Sequence, residues 1–200
     1  NKWVLLFRCK MTGMDGIAIT DHNSLRSQKY GSFFKRRGID IIQGEEIMTT
    51  EGEIICLFLE KEISPMMSPE MTVSAIKKQG GMVYIPHPYD AKRRKTILSD
   101  DARERILEDI DFIEKYNART EKEEDIRKQK AIAEEVCNRN SETVGLIGSD
   151  AHIWWELGKN YCVVDERISK DNIKRCISAG SFQKTEGKTI SHKFTKIVKA

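Results

Sequence analysis

The chain has 200 residues, of which 39% are hydrophobic and 32% charged, a composition typical of a soluble globular domain with a single core. Its net charge of +3 is too small to indicate nucleic-acid binding by itself. No apolar run approaches the roughly 20 residues that span a bilayer, and no signal peptide is recognisable, so nothing indicates secretion. The five cysteines have no CxxC spacing, which argues against a disulfide framework and favours reduced thiols in the cytoplasm.

The first predicted elements are two buried strands joined by a helix. Residues 16–20 and 39–42 are β-rich runs that end in polar residues, and residues 24–37 between them have a helical composition closed by a glycine. A third strand over residues 53–59 is predicted to pair with the second through the turn at residues 49–52.

The rest of the chain continues to alternate between helices and strands. Helices are predicted over residues 68–79, 101–109, 121–138 and 170–178, and strands over residues 82–85, 112–116, 143–147 and 161–164. This alternation favours one α/β domain, residues 1–180, with a largely parallel sheet or barrel. Residues 181–200 are predicted to be a basic C-terminal extension, in which His192 is exposed.

Three of the four histidines lie where an apolar strand gives way to a loop. They are His22, His87 and His152. The carboxylate Glu46 also follows an apolar run, and Asp150 lies two residues before His152, after the same apolar run. Residues at the C-terminal ends of parallel strands can converge even when they are far apart in sequence. Imidazole and carboxylate ligands together suit zinc, manganese or iron, so the pattern predicts a metal site.

The ordered motifs resemble those of the polymerase and histidinol phosphatase (PHP) superfamily of metal-dependent phosphoesterases. The matching segments are Ile19-Thr20-Asp21-His22-Asn23, Gly44-Glu45-Glu46-Ile47, Pro86-His87-Pro88 and Ser149-Asp150-Ala151-His152, with a weaker match from Ile113-Glu114 through Asn117 and Arg119. The Thr-Asp-His triplet alone is a weak signal, but the ordered set is a strong one. The resemblance covers the chain from about Met14 to Ser178.

This resemblance implies a distorted (β/α)7 barrel with two or three divalent metal ions, zinc, manganese or iron, at the C-terminal ends of its strands. The implied metal ligands are His22, Glu46, His87, Asp150 and His152. The implied catalyst is a metal-bound hydroxide held by Glu46 and Asp150, because coordination lowers the pKa of water to about 7. The neighbouring Glu45 is interpreted as structural, since strand alternation lets only one of the two glutamates point into the site.

The resemblance also assigns residues that support the site. Three polar residues are expected to orient the ligands from behind: Asp21, Glu114 and Asn117. Arg93, Arg94 and Arg119 are candidate phosphate clamps, since guanidinium groups bind phosphate bidentately, although a solvated basic loop is an equal alternative for each. Trp154 and Trp155 either line the pocket and stack on an aromatic group or pack within their loop.

The first motif of the family, a His-x-His pair on the first strand, is absent, because residues 1–20 contain no histidine. Residues 3–12 look like the helix that would follow that strand, so the barrel is expected to lack its first strand. Truncation and degeneration both explain this, and the intact later motifs favour truncation. An open barrel would leave an unpaired edge and exposed apolar surface, which predicts marginal stability or association.

The leading hypothesis is a cytoplasmic, metal-dependent phosphoesterase that hydrolyses a small phosphorylated metabolite or nucleotide, with activity impaired where the first motif is missing. Two alternatives stay open. One is an exonuclease on single-stranded nucleic acid, which the basic residues 92–95 and the two tryptophans permit. The other is a non-catalytic metal-binding regulatory domain. Neither a membrane partner nor a particular oligomeric state is predicted.

Overall fold

The structure is a computed structural model that describes residues 1–184 and 195–197. Its strands are β1 (Gly16–His22), β2 (Asp40–Thr49), β3 (Gly52–Leu57), β4 (Met82–Ile85), β5 (Ile110–Asn117), β6 (Val144–Gly148), β7 (Asn160–Val164), β8 (Ser181–Lys184) and β9 (Thr195–Ile197). Its helices are α1 (Lys2–Thr12), α2 (Gly31–Lys35), α3 (Pro69–Lys78), α4 (Asp100–Arg105), α5 (Glu123–Arg139) and α6 (Ile173–Ala179). The prediction of an α/β protein is confirmed.

The predicted elements are present with small shifts at their ends. The largest difference lies between β1 and β2, where the single predicted helix is a 3-10 turn, Arg26–Tyr30, followed by the five-residue α2. The glycine predicted to end it, Gly38, has φ 75°, a left-handed conformation that glycine adopts without strain. The prediction for His192 lies outside the described residues, whereas residues 181–184 and 195–197 of the predicted extension form β8 and β9.

A curled six-stranded sheet carries the site, with the strand order β1-β2-β3-β4-β5-β6 in the described part of the chain. β1 is parallel to β2, and β4, β5 and β6 are parallel to one another, but β3 is antiparallel to both of its neighbours. The sheet is therefore less uniformly parallel than predicted. Since only β3 is reversed, the C-terminal ends of the other strands and the beginning of β3 meet at one edge.

The two faces of this sheet have separate apolar cores. On one face, side chains such as Ile54, Val83 and Ile113 pack among residues from α3, α4 and α5. On the other face Ile55, Tyr84 and their neighbours pack against Ile173 and Ile177 of α6. Adjacent residues point to opposite faces, as expected of a strand covered on both sides.

The outer edge of the sheet at β1 is better covered than the open-barrel prediction suggests. Residues 16–20 are all buried, and Ile17 and Ile19 pack in a cluster with Cys9 of α1. The second sheet, of order β8-β7-β9, lies with β7 beside β6 and β9 beside β1. Exposed apolar surface is found instead on α1, where Trp3 and Phe7 are 56% and 58% exposed. No helix in the described residues is long and apolar enough to cross a membrane.

Candidate metal centre

The centre of the candidate site is a buried cluster of Glu46, Glu53 and His87, whose potential ligand atoms all lie within 4.8 Å of one another. His87 Nε2 lies 3.5 Å from Glu46 Oε1 and 3.4 Å from Glu53 Oε2. All three residues are almost completely buried. Burial of two carboxylates this close together is costly unless a positive charge compensates them or one of them takes up a proton.

His22 and His152 extend this cluster toward solvent. His22 Nδ1 is 3.6 Å from Glu46 Oε2 and 3.6 Å from Glu53 Oε1. On the other side of the ring, Nε2 of His22 is 3.5 Å from Nε2 of His152. His152 Nδ1 is in turn 3.6 Å from Asp150 Oδ1. The structure thus brings together all of the predicted ligands in a continuous chain of close contacts, with Glu53 added.

Glu53 is the residue that the sequence analysis missed. The prediction considered the C-terminal ends of strands, whereas Glu53 lies at the beginning of β3, which runs antiparallel to β2. The tight turn at residues 49–52 returns the chain to the edge where β2 carries Glu46. The predicted hairpin was the available signal, since it places the start of its second strand beside the end of its first.

The electrostatics of Glu53 fit a cationic environment. Burial raises the pKa of Glu53, but hydrogen bonds with His22 and His87 outweigh burial and leave its pKa lowered. Glu45 contrasts with it: this carboxylate is fully buried away from the cluster, accepts a hydrogen bond from the amide of Ile63 at 3.0 Å, and has its pKa raised by burial. Carboxylate and imidazole donors at such distances fit a divalent cation such as zinc, manganese or iron.

Backbone strain occurs at several positions near the candidate ligands. Five non-glycine residues in the described part of the chain have positive φ: Asn23, His87 and Asp150, at 47°, 29° and 47°, are or adjoin candidate ligands, and the other two are Phe58 and Met66. Each such residue costs about 1–3 kcal/mol and persists only when its surroundings hold it. The amide of Asn23 donates to the carbonyl of Glu46 at 2.9 Å, and its side chain accepts from the amide of Met48 at 2.8 Å.

Glu114 fixes the turn at His87 through hydrogen bonds. Its fully buried carboxylate accepts hydrogen bonds from the amide of His87 at 2.6 Å, the Tyr84 hydroxyl at 2.8 Å and the Asn117 amide group at 2.9 Å. Asn117 also donates to Asp150 Oδ2 at 3.1 Å. Burial and the adjacent Glu114 carboxylate raise the pKa of Tyr84 well above its ordinary value. Glu114 and Asn117 thus contact His87 and Asp150 directly, and their role in orienting metal ligands stays a prediction.

The three candidate phosphate clamps have different surroundings. Arg93 is committed to other groups, with Nη1 bonded to Asp150 and Nε to Asp90 at 2.9 Å. Arg119 is exposed, and its Nη1 lies 2.8 Å from Nδ1 of His152. Arg93 and Arg119 line one cavity, together with Asp90 and Glu156, whereas Arg94 lines another, beside Tyr89 and Ser99. Arg119 is consequently the guanidinium that combines exposure with direct contact to a predicted ligand.

Asp21 makes a hydrogen bond within the loop after β1, and its role in orienting a ligand stays a prediction. Its carboxylate accepts a hydrogen bond from the amide of Ser27 at 3.1 Å, at the start of the 3-10 turn after β1. It also lines a cavity of about 560 Å³ together with His22, Glu46, Asp150 and His152. Asp21 therefore fixes the loop that follows His22 while facing the same open space as the predicted ligands.

Sequence comparisons find relatives without an established function. No family profile matches the chain. It is 41% identical over 111 residues to the uncharacterized protein MJ1587 of Methanocaldococcus jannaschii. This match covers 54% of this chain and 61% of that protein. It is 32% identical over 151 residues to the uncharacterized protein MJ0417 of the same organism, which covers 74% of this chain and 57% of that protein. The chain thus spans about three fifths of the length of each relative.

Structural comparisons identify the fold. The chain resembles PsfC from Pseudomonas syringae PB-5123, with a TM-score of 0.62 and 16% identity over 92% of this chain and 82% of that chain. It also resembles a Bifidobacterium adolescentis ATCC 15703 protein described as a "putative metal-dependent phosphoesterase", with a TM-score of 0.60 and 15% identity over 87% of this chain and 89% of that chain. The chain therefore shares its α/β fold with these two proteins.

Proposed function

We propose that this chain is a metal-dependent phosphoesterase domain of the PHP type, built on a distorted (β/α)7 barrel without its first strand. Its substrate is a small phosphorylated metabolite or nucleotide. The observation that carries this proposal is the buried Glu46, Glu53 and His87 cluster, continuous with His22, His152 and Asp150 at one edge of the sheet. The fold shared with a protein described as a metal-dependent phosphoesterase supports it.

The proposed roles follow from position. Glu46, Glu53 and His87 hold metal in the buried cluster, and Asp150 together with the more exposed His22 and His152 holds it where the cluster meets the cavity. Divalent ions there, zinc, manganese or iron, would activate water and polarise the phosphoryl oxygens. Arg119 orients the phosphate, because its planar guanidinium can donate two parallel hydrogen bonds to phosphate oxygens. The bond that is broken joins phosphorus to the ester oxygen of the leaving alcohol.

Metal binding is the first test, by calorimetric titration of the chain with Mn²⁺ and Zn²⁺. Glu53→Gln should weaken binding at least about tenfold, since it removes a charged donor from a buried site. Glu51→Gln is the matched control, because Glu51 lies in the adjacent turn and pairs with Arg105 instead. The proposal fails if the wild-type chain binds no metal, or if it binds metal and His87→Ala leaves that affinity unchanged.

Phosphate release is the second test, with nucleotide and sugar monophosphates as substrates in the presence of the metal that binds. The same assay with short single-stranded oligonucleotides distinguishes the exonuclease alternative. Faster turnover of oligonucleotides than of mononucleotides would favour that alternative. Metal binding without hydrolysis of either would favour a non-catalytic domain.

A further inference from the structure

The loop after His152 presents consecutive large apolar residues to solvent. Ile153, Trp154 and Trp155 are 42%, 44% and 53% exposed. Single exposed apolar residues are ordinary, but an exposed run of this kind is unfavourable unless it serves a function. Its position immediately beyond a predicted metal ligand distinguishes it from the exposed apolar residues of α1.

The conformation of this loop is fixed by hydrogen bonds at both ends. Glu156 accepts from the amides of His152 at 2.9 Å and Ile153 at 3.3 Å. From the other side, Arg8 donates to the carbonyls of Trp155 at 3.1 Å and Leu157 at 3.0 Å. The exposed tryptophans are thus held in place by bonds that reach back to His152 and across to α1.

The two tryptophans differ in their relation to the site. Trp154 lines the cavity of about 560 Å³ that also contains His22, Glu46 and Asp150, whereas Trp155 is outside the described lining of that cavity. The two rings meet edge to face, with centroids 5.7 Å apart and planes at 85°. Trp155 therefore lies outside the cavity wall to which Trp154 belongs.

The lining of the cavity combines two kinds of side chain. Candidate metal ligands line it together with apolar residues that include Leu5, Ile19, Tyr30, Trp154 and Leu157. The volume lies within the range of about 300–1,000 Å³ that is typical of small-molecule sites. A phosphate ester with a flat apolar group would place its charged end and its ring against matching surfaces.

We infer that Trp154 is a specificity-determining residue, which stacks on the planar aromatic ring of the substrate, as in a nucleoside monophosphate or another aromatic phosphomonoester. This inference rests on the proposed function, because it takes the phosphate to be bound at the metal centre. Trp154 lines the same cavity as several candidate ligands. We therefore favour a substrate group, and not a second copy of the chain, as the occupant of this surface.

The test compares two ligands that differ only in the aromatic ring: AMP and the ribose phosphate esterified at the same hydroxyl. Dissociation constants, and kcat/KM where turnover occurs, are measured with the Mn²⁺-loaded chain. The wild type should prefer AMP. Trp154→Ala should weaken AMP binding at least about fivefold, as expected for loss of base stacking, and leave ribose phosphate within about twofold.

Trp155→Ala is the matched control, since it removes an equally large and more exposed ring outside the cavity. It should change both affinities by less than about twofold, and Trp154→Phe should retain most of the preference for AMP. Circular dichroism and thermal melting verify that each variant folds. If Trp154→Ala does not fold, Trp154→Phe still tests the inference, because it retains an aromatic ring.

Several outcomes would overturn the inference. One is an equal loss of affinity for AMP and for ribose phosphate in Trp154→Ala. The others are unchanged affinity for both ligands in Trp154→Ala, or the same loss of AMP affinity in Trp155→Ala. If both alanine variants abolish self-association and leave nucleotide binding unchanged, the surface is an interface between copies instead. A wild-type chain that binds Mn²⁺ and both phosphates equally contradicts only this inference, whereas a chain that binds no Mn²⁺ contradicts the proposed function.

Discussion

The two carboxylate oxygens of Asp150 have different partners. Arg93 Nη1 and Asn117 Nδ2 both donate to Oδ2, while Oδ1 faces His152. Burial lowers the pKa of Arg93, but Asp150 and Asp90 outweigh burial and leave it raised, so the guanidinium remains charged. Arg93 therefore acts as a positioning residue for Asp150, in addition to being a candidate phosphate clamp from the sequence.

We expect Arg93→Lys to lower the affinity for Mn²⁺ roughly tenfold or more, because residues that orient metal ligands commonly have effects of this size. Calorimetry measures this, with Arg94→Lys as the control, since Arg94 lines a separate cavity. Inorganic phosphate is titrated into the metal-saturated variants in parallel. Unchanged metal affinity together with lost phosphate affinity in Arg93→Lys would show that Arg93 is a clamp.

Asp111 gives a pH-dependent contribution to stability far from the site. Its carboxylate lies 2.7 Å from the amines of Lys77 and Lys174 and accepts a hydrogen bond from the amide of Val83 at 2.8 Å. Burial raises the pKa of Asp111, but these three partners outweigh it and lower the pKa below the ordinary value. Its stabilisation is therefore present above the unfolded-state pKa and is lost as pH falls through the lower folded-state pKa.

Asp111→Asn should lower the free energy of unfolding by about 2 kcal/mol at neutral pH, the usual scale for hydrogen bonds to a charged group. The difference from wild type should shrink below about pH 4, where Asp111 becomes protonated in the unfolded chain. Urea denaturation over a pH series measures it. The exposed Asp101→Asn is the control, and a difference independent of pH would contradict the electrostatic explanation.

At the scale of elements, the sequence predicted the strands and most helices because apolar runs, caps and glycine stops are local signals. Ser68, the first residue of the helix predicted over residues 68–79, caps α3 by accepting a hydrogen bond from the amide of Met71. The irregularity of β5 has no such signal. Its register shifts between Glu114 and Tyr116, and this bulge lets Glu114 and Asn117, three residues apart, point to the same side. A regular strand would have turned them to opposite faces.

The close packing of β6 against this bulge explains why position 148 is a glycine. A Cβ at Gly148 would lie 2.1 Å from Glu114 Oε1, whereas a Cβ at Gly145 on the same strand would meet the flexible side chain of Lys115. Gly148→Ala should therefore displace the carboxylate that holds His87. We expect it to destabilise the chain by about 1–3 kcal/mol, the cost of overpacking a core, and also to weaken Mn²⁺ binding.

Thermal melting and calorimetry measure these two effects, and Gly145→Ala provides the control. That variant should cost less stability and leave metal affinity unchanged, because the lysine chain can move aside. Equal effects of the two substitutions would mean that the tight contact at Gly148 does not position Glu114.

At the scale of the molecule, the candidate site joins elements that are distant in sequence. His22 and Glu46 lie near the beginning of the chain, and Asp150 and His152 lie more than a hundred residues later. Sequence reasoning identified these residues because each follows an apolar run, but it could not order them in space. The turn at residues 49–52 predicted the reversed β3, on which Glu53 lies, whereas the curling of the sheet arises from pairing between strands and has no local signature.

This long-range arrangement predicts that metal stabilises the fold as a whole. A ligand at a hundred times its dissociation constant stabilises the folded state by about 2.7 kcal/mol, which for a domain of this size corresponds to a rise in Tm of roughly 5–10 °C. Addition of Mn²⁺ should produce this shift in the wild type because bound metal links β1, β2, β3 and the loops after β4 and β6. His87→Ala should lose most of the shift, and Glu51→Gln should keep it. A shift of equal size in His87→Ala would mean that Mn²⁺ binds elsewhere on the chain.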